Sequence, residues 1–141
     1  MVNEASIIEL ANENPVQRTI ANGSSGTDTL KGTLMVLADV NTVSASGATG
    51  AGGDIFGGIL AVDKEGGDGS TLIGCHMNGV FDILTHSGGA ITIGEEVVIS
   101  GVNTIKAATE AEVQLGAHIG YAEEAASAGT AETIRVRLRG G

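Results

Sequence analysis

Thr133-Ile134-Arg135-Val136-Arg137-Leu138 alternates apolar and polar side chains without a break. Successive side chains of an extended chain point to opposite faces, so Ile134, Val136 and Leu138 share one face and Thr133, Arg135 and Arg137 the other. This is the signature of a half-buried strand. Upstream, short apolar runs of β type recur, broken by Gly, Asp, Asn and Ser. Strands are expected over 33–37, 55–62, 70–77, 80–84, 95–100, 104–106 and 114–123. Asn78-Gly79 predicts a tight hairpin turn, because both residues tolerate positive φ. Strands at this spacing, with turn chemistry between them, indicate an all-β chain: a small β-barrel or jelly-roll-like domain with an extended N-terminal arm.

Residues 1–28 read differently from the rest. Ser6 to Asn14 offers a turn or two of helix, limited by Pro15. The stretch 22–28 is turn chemistry with no side chain bulky enough for a core. The organisation expected is an arm and loop over 1–28 and a barrel or sandwich over 29–141. Residues 41–54, rich in Gly, Ala and Ser, read as a surface loop, and 107–115 as an irregular connection despite its Ala and Glu content. No internal repeat is convincing on this reading.

One core is the natural expectation for 141 residues. Its make-up is unusual: Phe56, Phe81 and Tyr121 are the only aromatics, there is no Trp, and 23 positions are Gly. Val, Ile, Leu and Ala must do the packing that aromatics usually dominate. A monomer of this kind sits low in the usual range of roughly 5–15 kcal/mol, which favours burial between subunits. Seventeen acidic residues against seven Lys plus Arg give a formal charge of −10. Such a surface repels nucleic acid and anionic lipid. No apolar run approaches the roughly 18–20 residues of a membrane span, and the acidic start lacks the basic end of a signal peptide.

The residues that usually carry chemistry are poorly placed for it. Gly47 and Gly52 have phosphate-loop separation, but Gly53-Asp54 stands where Lys-Ser/Thr is required. The acidic turn 63–68 is out of register for a calcium loop, with Lys64 interrupting it. His76, His86 and His118 lie on separate segments and show no zinc spacing. Cys75, the single cysteine, cannot form an intrachain disulfide and reads as a small buried filler. Ser24 and Ser25 stand in Gly-Ser-Ser-Gly, which is no nucleophile elbow. No enzyme, metal or cofactor is expected.

The order of several pieces carries a resemblance: Gly-Thr-Leu at 32–34, Gly-Gly-Ile-Leu-Ala at 57–61 and Asn-Gly-Val-Phe-Asp-Ile-Leu at 78–84. Gly-Gly-Ala-Ile-Thr-Ile-Gly-Glu-Glu-Val at 88–97, Leu-Gly-Ala-His-Ile-Gly-Tyr-Ala at 115–122 and Thr-Ile-Arg-Val-Arg-Leu at 133–138 follow. Over about three-quarters of its length the chain resembles the capsid cement (decoration) proteins of tailed viruses. That resemblance implies a structural virion protein on the outer surface of an expanded capsid, made in the host cytoplasm. Its implied partners are the major capsid protein and further copies of itself, a homotrimer before a dimer. The insertion near 44–53 and residues 1–28 depart from the family pattern.

Two sets of site residues are expected. Val2, Ile7, Ile8 and Leu10 of the arm are candidates to bind the capsid protein by adding to a free sheet edge. Phe81, Ile83 and Leu84 are candidates for the oligomer interface, the plain alternative being that Phe81 fills the barrel. The competing function is another β-rich virion protein, such as a tail or fibre component or a glycan-binding module. The scarcity of aromatic platforms argues against glycan binding.

Overall fold

The computed structural model describes residues 4–9, 15–20, 28–47, 54–86 and 88–139, and the chain is nearly all β. In chain order the elements are β1 (Ser6–Glu9), β2 (Val16–Ile20), β3 (Leu34–Asp39), β4 (Thr42–Ala45), β5 (Phe56–Leu60) and β6 (Leu72–His76). They continue as β7 (Asn78–Thr85), β8 (Glu96–Gly101), β9 (Thr104–Ala107), α1 (Glu110–Leu115), β10 (Gly120–Ala122) and β11 (Thr133–Arg139).

These strands make two barrels of the same topology. The first closes in the order β2-β4-β3-β5-β6. In the second, β7 pairs both β11 and β9, closing the ring β7-β9-β8-β10-β11. Each barrel shuts through one parallel pairing, β2 with β4 and β7 with β9, and its other pairings are antiparallel. β1 lies outside this repeat, antiparallel on β7, with Ile7 opposite Phe81.

The repeat extends to single residues. Met35↔Ala45, Val36↔Ser44, Leu37↔Val43 and Asp39↔Thr42 recur as Val97↔Ala107, Val98↔Lys106, Ile99↔Ile105 and Gly101↔Thr104, an offset of 62 residues throughout. The register shift before each hairpin tip recurs too, and so does the left-handed Asn that turns the tip, Asn41 and Asn103. The isolated bridge Thr29↔Lys64 returns as Ile91↔Ala126. Gly58, opposite Met35, returns as Gly120, opposite Val97. A Cβ on Gly58 would strike Cys75, and one on Gly120 would strike the Arg137 carbonyl, so both positions demand the close backbone approach that only Gly permits.

Alternation sorts the cores. Ile20, Met35, Val43, Leu60, Ile73 and Cys75 fill the first barrel. Phe81, Ile83, Val97, Ile99, Ile105, Ile119 and Val136 belong to a larger cluster that also takes in Leu34, Phe56 and Ile59 of the first barrel. Thus β5 and the first half of β3 are buried on both faces. Their inward side chains fill their own barrel, and their outward ones join the cluster of the second.

Several expectations are corrected. Asn78-Gly79 makes no hairpin: β6 and β7 belong to different barrels and only Met77 separates them. Gly79 does hold positive φ, but inside β7 opposite Leu138. The connection at 107–115 ends in helix, because Thr109 and Glu112 form a reciprocal capping box and Gly116 ends the helix in a left-handed turn. That helix takes up the start of the strand expected over 114–123, leaving β10 at Gly120–Ala122. Part of the expected surface loop at 41–54 is β4, with Val43 fully buried. The internal repeat is real. Within 1–28, Ser6–Glu9 and Val16–Ile20 are strands.

Candidate functional site

Of the four arm residues, Val2 and Leu10 lie outside the described residues, as do Ser24, Ser25 and most of the glycine stretch at 47–54. Ile7 and Ile8 sit on β1, 39% and 42% exposed. β1 is the end strand of its sheet. Just before it, the Ala5 N–H donates to the Gly32 carbonyl at 2.7 Å, tying the strand to the first barrel while its own pairing ties it to the second. A Cβ at Gly32 would run into the Ala5 carbonyl, so that tie also depends on glycine. A groove of about 400 Å³ runs along Glu4, Ala5, Ser6 and Ile7 beside Lys31.

Phe81 and Ile83 point into the second barrel and are buried within the chain itself. Leu84, on the opposite face of β7, is half-buried opposite Thr133 and Thr104. The structure therefore does not place these three side chains on one surface.

The seam between the barrels was not anticipated. Its apolar part is Leu34, Phe56 and Ile59, with Val36 and Met77 packed against the cluster. Its polar part is the tip of the β8–β9 hairpin. Asn103, fully buried, accepts the Leu34 N–H at 2.9 Å through Oδ1, and its own N–H donates to Ser46 Oγ at 3.0 Å. Those bonds satisfy polar groups whose burial would otherwise cost about 1–3 kcal/mol each. The His76 ring lies 5.8 Å from that of Phe81. Burial holds the His76 pKa below its usual value of 6.5, aided by Lys31.

On the second barrel, the positions equivalent to Leu34, Phe56 and Ile59 are Glu96, His118 and Tyr121. Here the face is polar. Arg139 donates to Glu96 Oε1 at 3.1 Å and stacks over the Tyr121 ring at 4.6 Å. Arg137 donates to Glu123 at 2.8 Å. Among the described residues, Glu96 Oε2 and His118 Nδ1 are buried without a hydrogen bond, and His118 Nε2 lies 3.9 Å from the former. α1 precedes His118 in the chain, with its Glu112 bonded to Lys106 at 3.3 Å and Leu115 exposed.

No group of three or more His, Cys, Asp and Glu that could hold a metal ion occurs among the described residues. The acidic turn at 63–68 closes on its own lysine: Lys64 Nζ donates to Asp68 and to the Glu65 carbonyl. That ammonium holds the Asp68 carboxyl below its usual range, helped by the Ser70 N–H. Cys75 is fully buried in the first barrel, and burial pushes its thiol up to about 11, against a small opposing effect of Arg18. A thiol so protonated is a packing group and a poor nucleophile. No helix among the described residues is long and apolar enough to cross a membrane.

The residues missed at the seam left one trace in the sequence. Val40-Asn41-Thr42-Val43 and Val102-Asn103-Thr104-Ile105 are near-copies at the repeat offset.

No curated protein matches the chain. A family model does: that of the phage cement proteins, over residues 23–138, which spans both barrels apart from β2 of the first and the last residue of β11. It is a family of structural virion proteins with a capsid-stabilising role. With that match over most of its length, this chain belongs to the phage cement protein family.

Proposed function

We propose that this protein binds the outer surface of an expanded tailed-phage capsid as a homo-oligomer, a homotrimer before a dimer, and stabilises the shell by bridging major capsid protein subunits. The family match over 23–138 carries this reading. A protein that binds only the assembled lattice stabilises it by mass action. An oligomer that touches several subunits gains a further 10²–10⁴-fold, as an order of magnitude, from multivalency.

The capsid contact in this proposal is the N-terminal segment. β1 ends its sheet and presents Ile7 and Ile8 to solvent. A strand with an open edge gains affinity from main-chain hydrogen bonds, and flanking side chains add selectivity. Val2 and Leu10 would extend the same contact. Leu84 remains the candidate for a subunit contact, since it is the one of its trio with accessible surface.

Co-sedimentation with expanded, undecorated capsids of the same phage tests the reading. Saturable binding at a fixed ratio supports it. An Ile7→Asp/Ile8→Asp variant should lose binding while keeping the wild-type melting temperature. Absence of wild-type binding would remove the reading and favour a tail or glycan-binding role.

A further inference from the structure

We infer that copies of this chain associate head to tail, the β3–β4 hairpin tip of one docking on the Glu96–His118–Tyr121 face of the next. The contact repeats between chains what the β8–β9 tip already does within one. The inference rests on the homo-oligomer of the proposed function and names its interface.

The argument begins with the repeat. Within the chain, the tip Val102-Asn103 of the second barrel meets the first barrel at Leu34 and Ser46, with Asn103 wholly buried. The equivalent tip of the first barrel has the same turn and the same left-handed Asn. Yet Val40 is 89% exposed, and Asn41 is exposed as well: its carbonyl accepts the Thr19 N–H at 2.9 Å, while its side-chain Oδ1 takes a 3.2 Å bond from Arg18 Nη1 at the surface. An apolar side chain held out on a rigid turn makes a good anchor for a partner pocket.

The receiving surface is identified in the same way. Leu34 becomes Glu96, Phe56 becomes His118 and Ile59 becomes Tyr121. In place of an apolar seam fixed for life, this face carries charges suited to a separable contact, with two buried polar atoms unbonded among the described residues, Glu96 Oε2 and His118 Nδ1. Leu115, three residues before His118, adds exposed apolar surface at 61%. The tip matches it in kind: Val40 offers apolar surface, while Asp39 and Arg18, whose Nη1 bonds Asn41, carry charges opposite to those of the Arg139–Glu96 pair on the receiving face. Opposite charges set in this order favour encounter and register.

Such an interface is heterologous, with different patches on the two partners. It closes into a ring or runs on as a filament, depending on the rotation.

Two variants and their mixture test this, read by light-scattering mass across a concentration series. Val40→Asp spoils the tip and keeps the receiving face; Leu115→Asp does the reverse. Both side chains are exposed, so both variants should keep wild-type circular dichroism and melting temperature. Each alone should weaken self-association by at least about 30-fold, as loss of a hot spot of roughly 2 kcal/mol implies. Mixed, they retain one sound interface and should form a one-to-one heterodimer. A folded Val40→Asp with the wild-type mass overturns this interface and leaves capsid cementing untouched. Both variants dissociating without forming the heterodimer overturns the head-to-tail arrangement. A wild-type monomer at every concentration overturns the inference together with the oligomer it rests on, and capsid co-sedimentation then reads the cement role separately.

Discussion

Asn41 and Asn103 hold the same left-handed conformation, φ 51° and 53°, at two hairpin tips whose registers repeat at an offset of 62 residues. Only their surroundings differ. Asn103 is fully buried against Leu34 and Ser46, whereas Asn41 is exposed. The pair thus separates the demand of the turn from the demand of the seam.

Asn41→Ala should cost about 1 kcal/mol, the price of left-handed backbone in a residue with a Cβ. Asn103→Ala adds the orphaned Leu34 N–H, and should cost about 3 kcal/mol. Urea unfolding of both variants checks the difference. Equal losses would mean that the Asn103 bonds contribute nothing to the seam.

Gly120→Ala should be among the most damaging single changes, about 4 kcal/mol or more, because its Cβ would meet the rigid Arg137 backbone. Gly129→Ala is the control. It has positive φ but nothing within 4 Å, so about 1 kcal/mol of strain is all that is expected. Melting temperatures that fall equally for the two would contradict the close β10–β11 approach.

His76 gives the fold a pH dependence of defined sign. Burial lowers its pKa in the folded state, so the unfolded chain takes up its proton first as pH falls. Its contribution is complete above 6.5 and shrinks as pH drops from there to the folded-state pKa. A His76→Gln variant should therefore show a flatter melting temperature from pH 8 to 5 than the wild type. Parallel profiles would assign the acid sensitivity elsewhere.

Thr109→Ala removes the hydroxyl half of the α1 capping box, leaving the backbone N–H of residue 109 on Glu112, and should cost about 1 kcal/mol at neutral pH. Burial pushes the Glu112 pKa up, but the Thr109 N–H and hydroxyl together with Lys106 outweigh it, leaving the carboxyl below its usual 4.5. The stabilisation is present above 4.5 and is lost as pH falls through the folded value. The gap between Thr109→Ala and wild type should accordingly narrow in acid, which denaturation at pH 7 and pH 3.5 would measure.

Much of the β architecture is legible in the sequence because alternation reports burial directly. Thr133–Arg139 reads as it folds, and the unbroken apolar character of Phe56–Leu60 already says that this strand is buried on both faces. Other strands hide for physical reasons. β2 buries only Ile20 fully, and β4 is four small or short side chains beside a glycine-rich stretch, so neither carries a pattern strong enough to stand out. Barrel closure is less legible still, since β2 meets β6 across most of one repeat and local propensity does not encode that distance. Asn78-Gly79 misleads because a glycine with positive φ serves a strand as well as a turn. As for site residues, periodicity puts Phe81 in an apolar run but does not say whether its face meets a core or a neighbour.

The single residue between β6 and β7 has a mechanical consequence. Two units joined by a flexible linker swing, and relative motion is the default between domains. Here Met77 is packed into the shared core, Asn103 pins one side of the junction, and Ala5 with β1 straps another. There is no hinge. A partner bound at one barrel would therefore sit at a set distance and angle from a partner bound at the other, as at the two ends of a strut.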